Sequence, residues 1–208
     1  MKLIKINPQK PEKDKIELAL HVLRKGGVVV YPTDTLYGIG VNIFSEDAVE
    51  RVFSIKKRSR SKPLSVCLPK VESISKVAYM DSKTEKIARK LLPGPFTLIL
   101  NKKEGISSTL TAGEAKIGVR IPDSKVSMEL SREFPVTATS ANISGMKVPE
   151  SPEGVYKQLG GSVDLILNAG VFKESLPSTV VDLTCCPPSV IRRGSGVEIF
   201  DEIIEKIK

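Results

Sequence analysis

The sequence predicts an α/β fold built as one domain, and three observations carry that prediction. Short apolar runs at Val28 to Tyr31, Leu64 to Leu68, Phe96 to Leu100 and Val136 to Thr139 have the length of buried strands. Amphipathic stretches of helical length alternate with them, from about Asp14 to Lys25, Ser45 to Ile55 and Ser82 to Leu92. Polar or hydroxyl-bearing residues follow several of the strands, and in open α/β sheets that edge is where ligands bind.

In chain order, Leu3, Ile4 and Ile6 open a strand, and a turn leads to the first helix, whose Ile16, Ala19, Leu20 and Leu23 share one face. His21 lies on the opposite, solvated face. Gly26-Gly27 ends that helix, and Val28 to Tyr31 runs into Pro32-Thr33-Asp34-Thr35-Leu36-Tyr37-Gly38. This segment suits either an ordinary turn with side-chain hydrogen bonds or a ligand loop at a strand's carboxyl end.

Ser45 caps the second helix, with Glu46 and Asp47 in its first turn. That helix delivers Lys56 to Leu68, Lys-Lys-Arg-Ser-Arg-Ser-Lys-Pro-Leu-Ser-Val-Cys-Leu, in which five of the first seven residues are cationic. A cationic loop running onto a strand sets several positive charges against one anion, whereas an isolated basic run is usually a solvated face. Pro93-Gly94-Pro95 connects the third helix to the strand Phe96 to Leu100, and the polar stretch Lys102 to Ala115 is expected to be a mobile loop or lid.

Ile117-Gly118-Val119-Arg120-Ile121-Pro122 embeds an arginine in an apolar strand. If Val119 and Ile121 face the core, period-two alternation turns Arg120 toward a cavity or the surface. Asp123 or Ser124 caps a helix to Glu133. Val136 to Thr139 runs into Ser140-Ala141-Asn142-Ile143-Ser144-Gly145, small polar residues of the kind that converge on phosphate oxygens. Ser151-Pro152-Glu153 starts another helix, ending at Gly160-Gly161. Strands near Leu165 to Leu167, Thr179 to Leu183 and Val190 to Arg192 follow, with Ser178 and Arg192 at their ends. A closing helix from Val197 to Lys208 aligns Ile199, Ile203, Ile204 and Ile207.

Composition narrows the chemistry. A hydrophobic content of 40% over 208 residues supplies a sizeable core, and a net charge of +8 suggests an anionic partner, nucleotide or nucleic acid. Aromatics at 5% with no Trp argue against a reader of single strands built on stacking. Cys67, Cys185 and Cys186 form no Cys-x-x-Cys pair, and His21 is the sole histidine, so a structural zinc site and a histidine-activated nucleophile are both disfavoured. An odd thiol count points to a reducing cytoplasm, and no apolar run nears the ~18 residues of a membrane span. There is no P-loop, no Gly-x-Gly-x-x-Gly turn and no His-Glu-x-x-His. A bound nucleotide must therefore be held by dispersed hydroxyls and cations.

The ordered set Pro32-Thr33-Asp34-Thr35-x-Tyr37-Gly38, Lys56-x-Arg58, Lys62-Pro63-Leu64, Pro93-Gly94-Pro95-Phe96-Thr97, Val119-Arg120-x-Pro122, Ser140-Ala141-Asn142-x-Ser144-Gly145, Ser178-Thr179-Val180-Val181-Asp182 and Ile191-Arg192-x-Gly194 resembles the YrdC-like family, the threonylcarbamoyl-AMP synthases. The resemblance spans roughly residues 12 to 200. It implies an open, twisted mixed sheet flanked by helices around a concave, positively charged cavity, in the single-domain form. It also implies joining of L-threonine, bicarbonate and ATP to threonylcarbamoyl-AMP and pyrophosphate, with Mg2+ accompanying ATP. The product serves N6-threonylcarbamoyladenosine formation at position 37 of tRNA, through a separate transferase complex.

By that resemblance Thr35, Arg120, Ser140 and Ser178 hold threonine, with Cys67 where some members have a substrate-facing His. Lys56, Arg58, Lys62, Asn142, Ser144 and Arg192 hold the nucleotide, Lys56 and Arg58 being also catalytic; Lys62 stands where some members have Asn. Two other readings compete. One is a non-catalytic protein that binds double-stranded RNA or tRNA in the same basic concavity. The other is transfer of a different carbamoyl group. A synthase needs Thr35, Ser140 and Ser178 around one small pocket, and an RNA binder does not.

Overall fold

A computed structural model describes residues 2–172 and 176–205. Among them are ten strands, β1 Lys2–Lys5, β2 Val29–Pro32, β3 Tyr37–Gly40, β4 Ser65–Cys67, β5 Phe96–Asn101, β6 Lys116–Arg120, β7 Val136–Ser140, β8 Leu165–Asn168, β9 Thr179–Asp182 and β10 Ser189–Arg192. Seven α-helices accompany them: α1 Lys13–Arg24, α2 Glu46–Lys56, α3 Ser82–Leu91, α4 Ser108–Thr111, α5 Lys125–Leu130, α6 Pro152–Leu159 and α7 Val197–Glu205. The strands form one mixed sheet in the order β1-β8-β2-β3-β7-β4-β6-β5-β9-β10.

The predicted α/β architecture holds, and its helix starts follow from capping. Ser45, Ser124 and Ser151 each accept a backbone N–H from the first turn of α2, α5 and α6, and Pro152 occupies the first position of α6.

Alternation along the strands gives the sheet two unlike faces. Val30, Ile39, Val66, Leu98, Val119, Ile166 and Val181 point to one side, into a core closed by apolar residues of α2, α3, α6 and α7. The opposite side is covered only in part. There α1 and α5 pack Ile16, Leu20, Val126 and Leu130 against Val29, Tyr31, Cys67, Val136 and Leu165. Beyond their reach the same face carries Gly38, Ser65, Thr97, Gly118, Ala138 and Val180. These are small or short residues set side by side by the register, with Gly38 opposite Ser140, Ser65 opposite Ala138 and Thr97 opposite Val180. A hollow results, because nothing large stands there to fill it.

Three expectations need correction. Pro32 to Gly38 is not one loop: Tyr37 begins β3, a fully buried strand pairing with β2 and β7. Its two glycines hide it from propensity. Gly40 is required by packing, since a Cβ there would lie 2.9 Å from the Tyr31 ring. Lys102 to Ala115 is a folded connection rather than a lid. It contains α4, buries Leu110 and Thr111, and its Leu110 carbonyl accepts the Leu64 N–H at 2.8 Å. The closing helix buries Phe200 and Ile203 and leaves Ile199 exposed, and Ile207 lies outside the described residues. No helix among the described residues is long and apolar enough to cross a membrane.

Candidate active site

The hollow is a cavity of about 280 Å3. Arg58, Arg120, Ser140, Ser178 and Arg192 line it together with Tyr31, Thr33, Ser65, Thr97 and Thr139, and no carboxylate is among its lining residues. Side chains drawn from Tyr31 to Arg192 of the chain thus converge on one small space, with three guanidinium groups facing it.

Arg58 reaches the cavity because α2 ends just before it. Lys57 takes the left-handed conformation (φ 48°) and turns the chain. Arg58 Nε then donates to the Lys62 carbonyl at 3.0 Å and Nη2 to the Pro63 carbonyl at 2.9 Å, which fixes the guanidinium at the mouth of β4. Burial holds its pKa below the usual arginine value.

Arg120 ends β6 on the face that alternation predicts. Its Nη2 donates to Asp34 and, at 2.5 Å, to Thr35 Oγ1. Thr33 Oγ1 accepts the N–H groups of Thr35 and Leu36 and donates to the Leu36 carbonyl at 2.6 Å. The Thr33–Leu36 turn is therefore both a side-chain-bonded turn and a wall against the arginine. On the far side Arg192 donates through Nε and Nη2 to the Ser178 carbonyl, at 3.1 and 2.8 Å, and through Nη2 to Ser178 Oγ. Ser178 Oγ also meets Thr97 Oγ1 at 2.9 Å. Burial, and the charge of Arg120, pull the Arg192 pKa downward. That is the mark of cations crowded into one place and ready to be neutralised by an anion.

Six residues expected at the ligand do not line the cavity, and the first is Thr35, buried in its turn with its hydroxyl against Arg120. The Lys56 side chain is buried beneath the Ser140–Ser144 loop. Its Nζ donates to the Ser140 carbonyl, to the Asn142 carbonyl at 2.8 Å and to Asn142 Oδ1 at 3.2 Å, while its own carbonyl accepts the Ser144 N–H at 2.8 Å. Its three hydrogens are spent on the protein, so it clasps the loop that carries Ser140 and does not line the cavity. Burial, with Arg58 nearby, lowers its pKa to about 7.

The signal was in the sequence: Val49, Val52, Phe53 and Lys56 continue one helical stripe, which puts Lys56 on the buried side of α2. Asn142 belongs to the same clasp, accepting from Ser140 Oγ at 2.6 Å and donating to the carbonyls of Ile143 and Met146. Ser144 is half-buried behind it. Lys62 is exposed and gives the site its carbonyl rather than its charge. Cys67 is fully buried against α5, with Ser131 Oγ 3.9 Å from its sulfur, and burial pushes its pKa to about 11. It is packing, not a substrate contact.

Sequence reasoning passed over the floor of the cavity, Gly38, Ser65, Ala138 and Val180, and its wall at Tyr31 and Thr97. Small residues at every second position of otherwise aliphatic strands were the available sign.

The model of the Sua5/YciO/YrdC family, described as telomere recombination, matches residues 21–194. This chain belongs to that family. A putative threonylcarbamoyl-AMP synthase of Methanocaldococcus jannaschii is 41% identical over 195 residues, 93% of each chain. The threonylcarbamoyl-AMP synthase of Pyrococcus abyssi is 34% identical over 95% of this chain, which spans only 59% of that relative's length. The crystal structure of P. abyssi Sua5 complexed with L-threonine superposes with a TM-score of 0.88 at 34% identity, covering 93% of this chain and 58% of that one. The open mixed sheet and its flanking helices are therefore the family's fold.

Proposed function

We propose that this chain is an L-threonylcarbamoyladenylate synthase, a nucleotidyl-transferring enzyme that joins L-threonine, bicarbonate and ATP. The observation that carries the reading is the convergence of Arg58, Arg120 and Arg192 with the hydroxyls of Ser140 and Ser178 on one small hollow free of carboxylates. The relatives' names agree with it, as does the threonine complex of the P. abyssi protein. A double-stranded RNA binder has no use for hydroxyls gathered in so small a space.

The reaction brings anions together. Threonine's amine attacks the carbon of bicarbonate, or of CO2 derived from it, and loses a proton. A carbamate forms, and water is the by-product. A carbamate oxygen then attacks the α-phosphorus of ATP, the bond to the β-phosphate's bridging oxygen breaks, and pyrophosphate leaves. Two unit charges about 4 Å apart repel by roughly 4 kcal/mol at an intermediate dielectric. The three guanidinium groups offset that repulsion and stabilise the charge that develops on the phosphates. No side-chain nucleophile is needed, and the only histidine, His21, is exposed on α1.

Mg2+ would accompany ATP in this scheme and supply further positive charge at its phosphates. The product is handed in the cytoplasm to a separate assembly that threonylcarbamoylates tRNA.

The test is pyrophosphate release from purified protein. Release should require threonine, bicarbonate and Mg-ATP together. Release indifferent to threonine, or none at all, would overturn the reading. With turnover established, Arg120→Ala should stay folded and lose about 100-fold or more in rate.

A further inference from the structure

We propose that Asp34 is a positioning residue that sets the pose of the Arg120 guanidinium and thereby its grip on the amino acid's carboxylate. The inference rests on the synthase reading, which gives Arg120 that carboxylate to hold.

Asp34 is not among the residues that line the cavity, so it is part of the wall behind Arg120 rather than a stand-in for the ligand. The pair is sheltered, each side chain retaining 12% of its exposure. Asp34 is itself held at the other end, where Oδ2 accepts the Asp123 N–H at 3.1 Å.

Hydrogen counting completes the picture. The Thr33 hydroxyl is filled by its bond to the Leu36 carbonyl and by the N–H groups of Thr35 and Leu36, and a guanidinium can only donate. Thr35 Oγ1 is then an acceptor for Arg120. Asp34 and Thr35 together take both hydrogens of Nη2. Nε is buried with no partner among the described residues. Nη1 is left to meet an incoming anion. A guanidinium held this way cannot swing toward the phosphates or out of the cavity, and an orphaned buried N–H favours whatever acceptor is brought to it.

The pair also has a cost. Asp34 cancels charge that would otherwise attract a carboxylate, so a merely competing aspartate and a positioning one predict opposite signs.

Asp34→Asn keeps the shape but sets an amide donor against either Arg120 or the Asp123 N–H. If Asp34 positions Arg120, the KM for threonine should rise about tenfold or more, the worth of one charge-assisted hydrogen bond, while the KM for ATP and the melting temperature hold. A lower threonine KM would show a competitor instead. Unchanged kinetics, or both KM values rising with a lowered melting temperature, would equally overturn the proposal.

A second readout needs no turnover. In nitrogen-15 NMR of the intact protein, the Arg120 Nη signals, assigned with Arg120→Lys, should be separate and slowly exchanging in wild type and averaged in Asp34→Asn. Averaged signals in wild type would refute the lock. Locked signals in a protein that releases no pyrophosphate would fault the synthase reading alone.

Discussion

Thr97 and Leu98 are neighbours on β5 and face opposite sides of the sheet, and the two sides do different work. Leu98 looks into a core closed by helices, shoulder to shoulder with Val119 across the β5–β6 ladder. Thr97 looks into the cavity, where its hydroxyl meets Ser178. The same alternation repeats on β4 with Val66 and Ser65, and on β6 with Val119 and Gly118. One face is made by filling space and the other by leaving it. Gly118 shows how little space is spare: a Cβ there would sit 2.5 Å from Ser65 Oγ. The floor of the site is therefore a property of the sheet itself, with Arg120 and Arg192 at strand ends and Arg58, Thr33 and Ser178 supplied from beside it.

The comparison breaks if mutations on the two faces behave alike. The largest expected effect is on stability, from Leu98→Ala: the lost burial and the void left behind should cost about 2–5 kcal/mol. Turnover measured well below the lowered melting temperature should stay near wild type. Next is Arg58→Ala on the cavity side, where removing one positioned charge should slow pyrophosphate release about 100-fold, or roughly 2.7 kcal/mol of barrier. Its denaturant midpoint should barely move. ATP titration curves that do not weaken in that variant would remove Arg58 from the site.

Much of this is legible in the sequence, for physical reasons. Arg120 was placed correctly because strand alternation is rigid: an arginine between Val119 and Ile121 has no choice of face. Helix starts were legible because caps are local. β3 was not, since Gly38 and Gly40 answer to the Tyr31 ring and carry no strand propensity of their own. The run of five cations misled in another way. A count of charges does not say which lie on a helix's buried stripe, and that stripe separates Lys56 from Arg58 two residues later. The exchange of roles between Lys56 and the small floor residues is a tertiary fact, set by what packs against what.

Lys56 sharpens the comparison, because it is a polar group on the side of the molecule that fills space. Lys56→Met removes the ammonium that three loop oxygens share, leaving buried acceptors without a donor at a cost of about 1–3 kcal/mol. The pH dependence has a definite sign. The folded pKa is about 7 and the ordinary value 10.5. Between them the unfolded chain holds a proton that the folded one releases, so wild-type stability gains as pH rises through that window. The variant lacks this gain. Denaturant midpoints taken at about pH 6 and about pH 9 should therefore show the wild-type advantage widening at the higher pH. A gap that did not change would mean Lys56 stays charged in the fold throughout.

The smallest effect belongs to Thr97→Val, and it asks the most pointed question. The substitution nearly conserves volume and deletes the hydroxyl that meets Ser178. Ser178 Oγ still accepts from Arg192, and the stability cost should be about 0.5–1.5 kcal/mol. Threonine affinity should fall severalfold, because the Ser178 hydroxyl loses the partner that fixes its rotor, while ATP affinity is unchanged. Calorimetric titration of each ligand separates the two. Were Thr97→Val to cost as much stability as Leu98→Ala and leave threonine binding alone, the cavity face would be doing structural work. The hollow would then be a packing defect rather than a site.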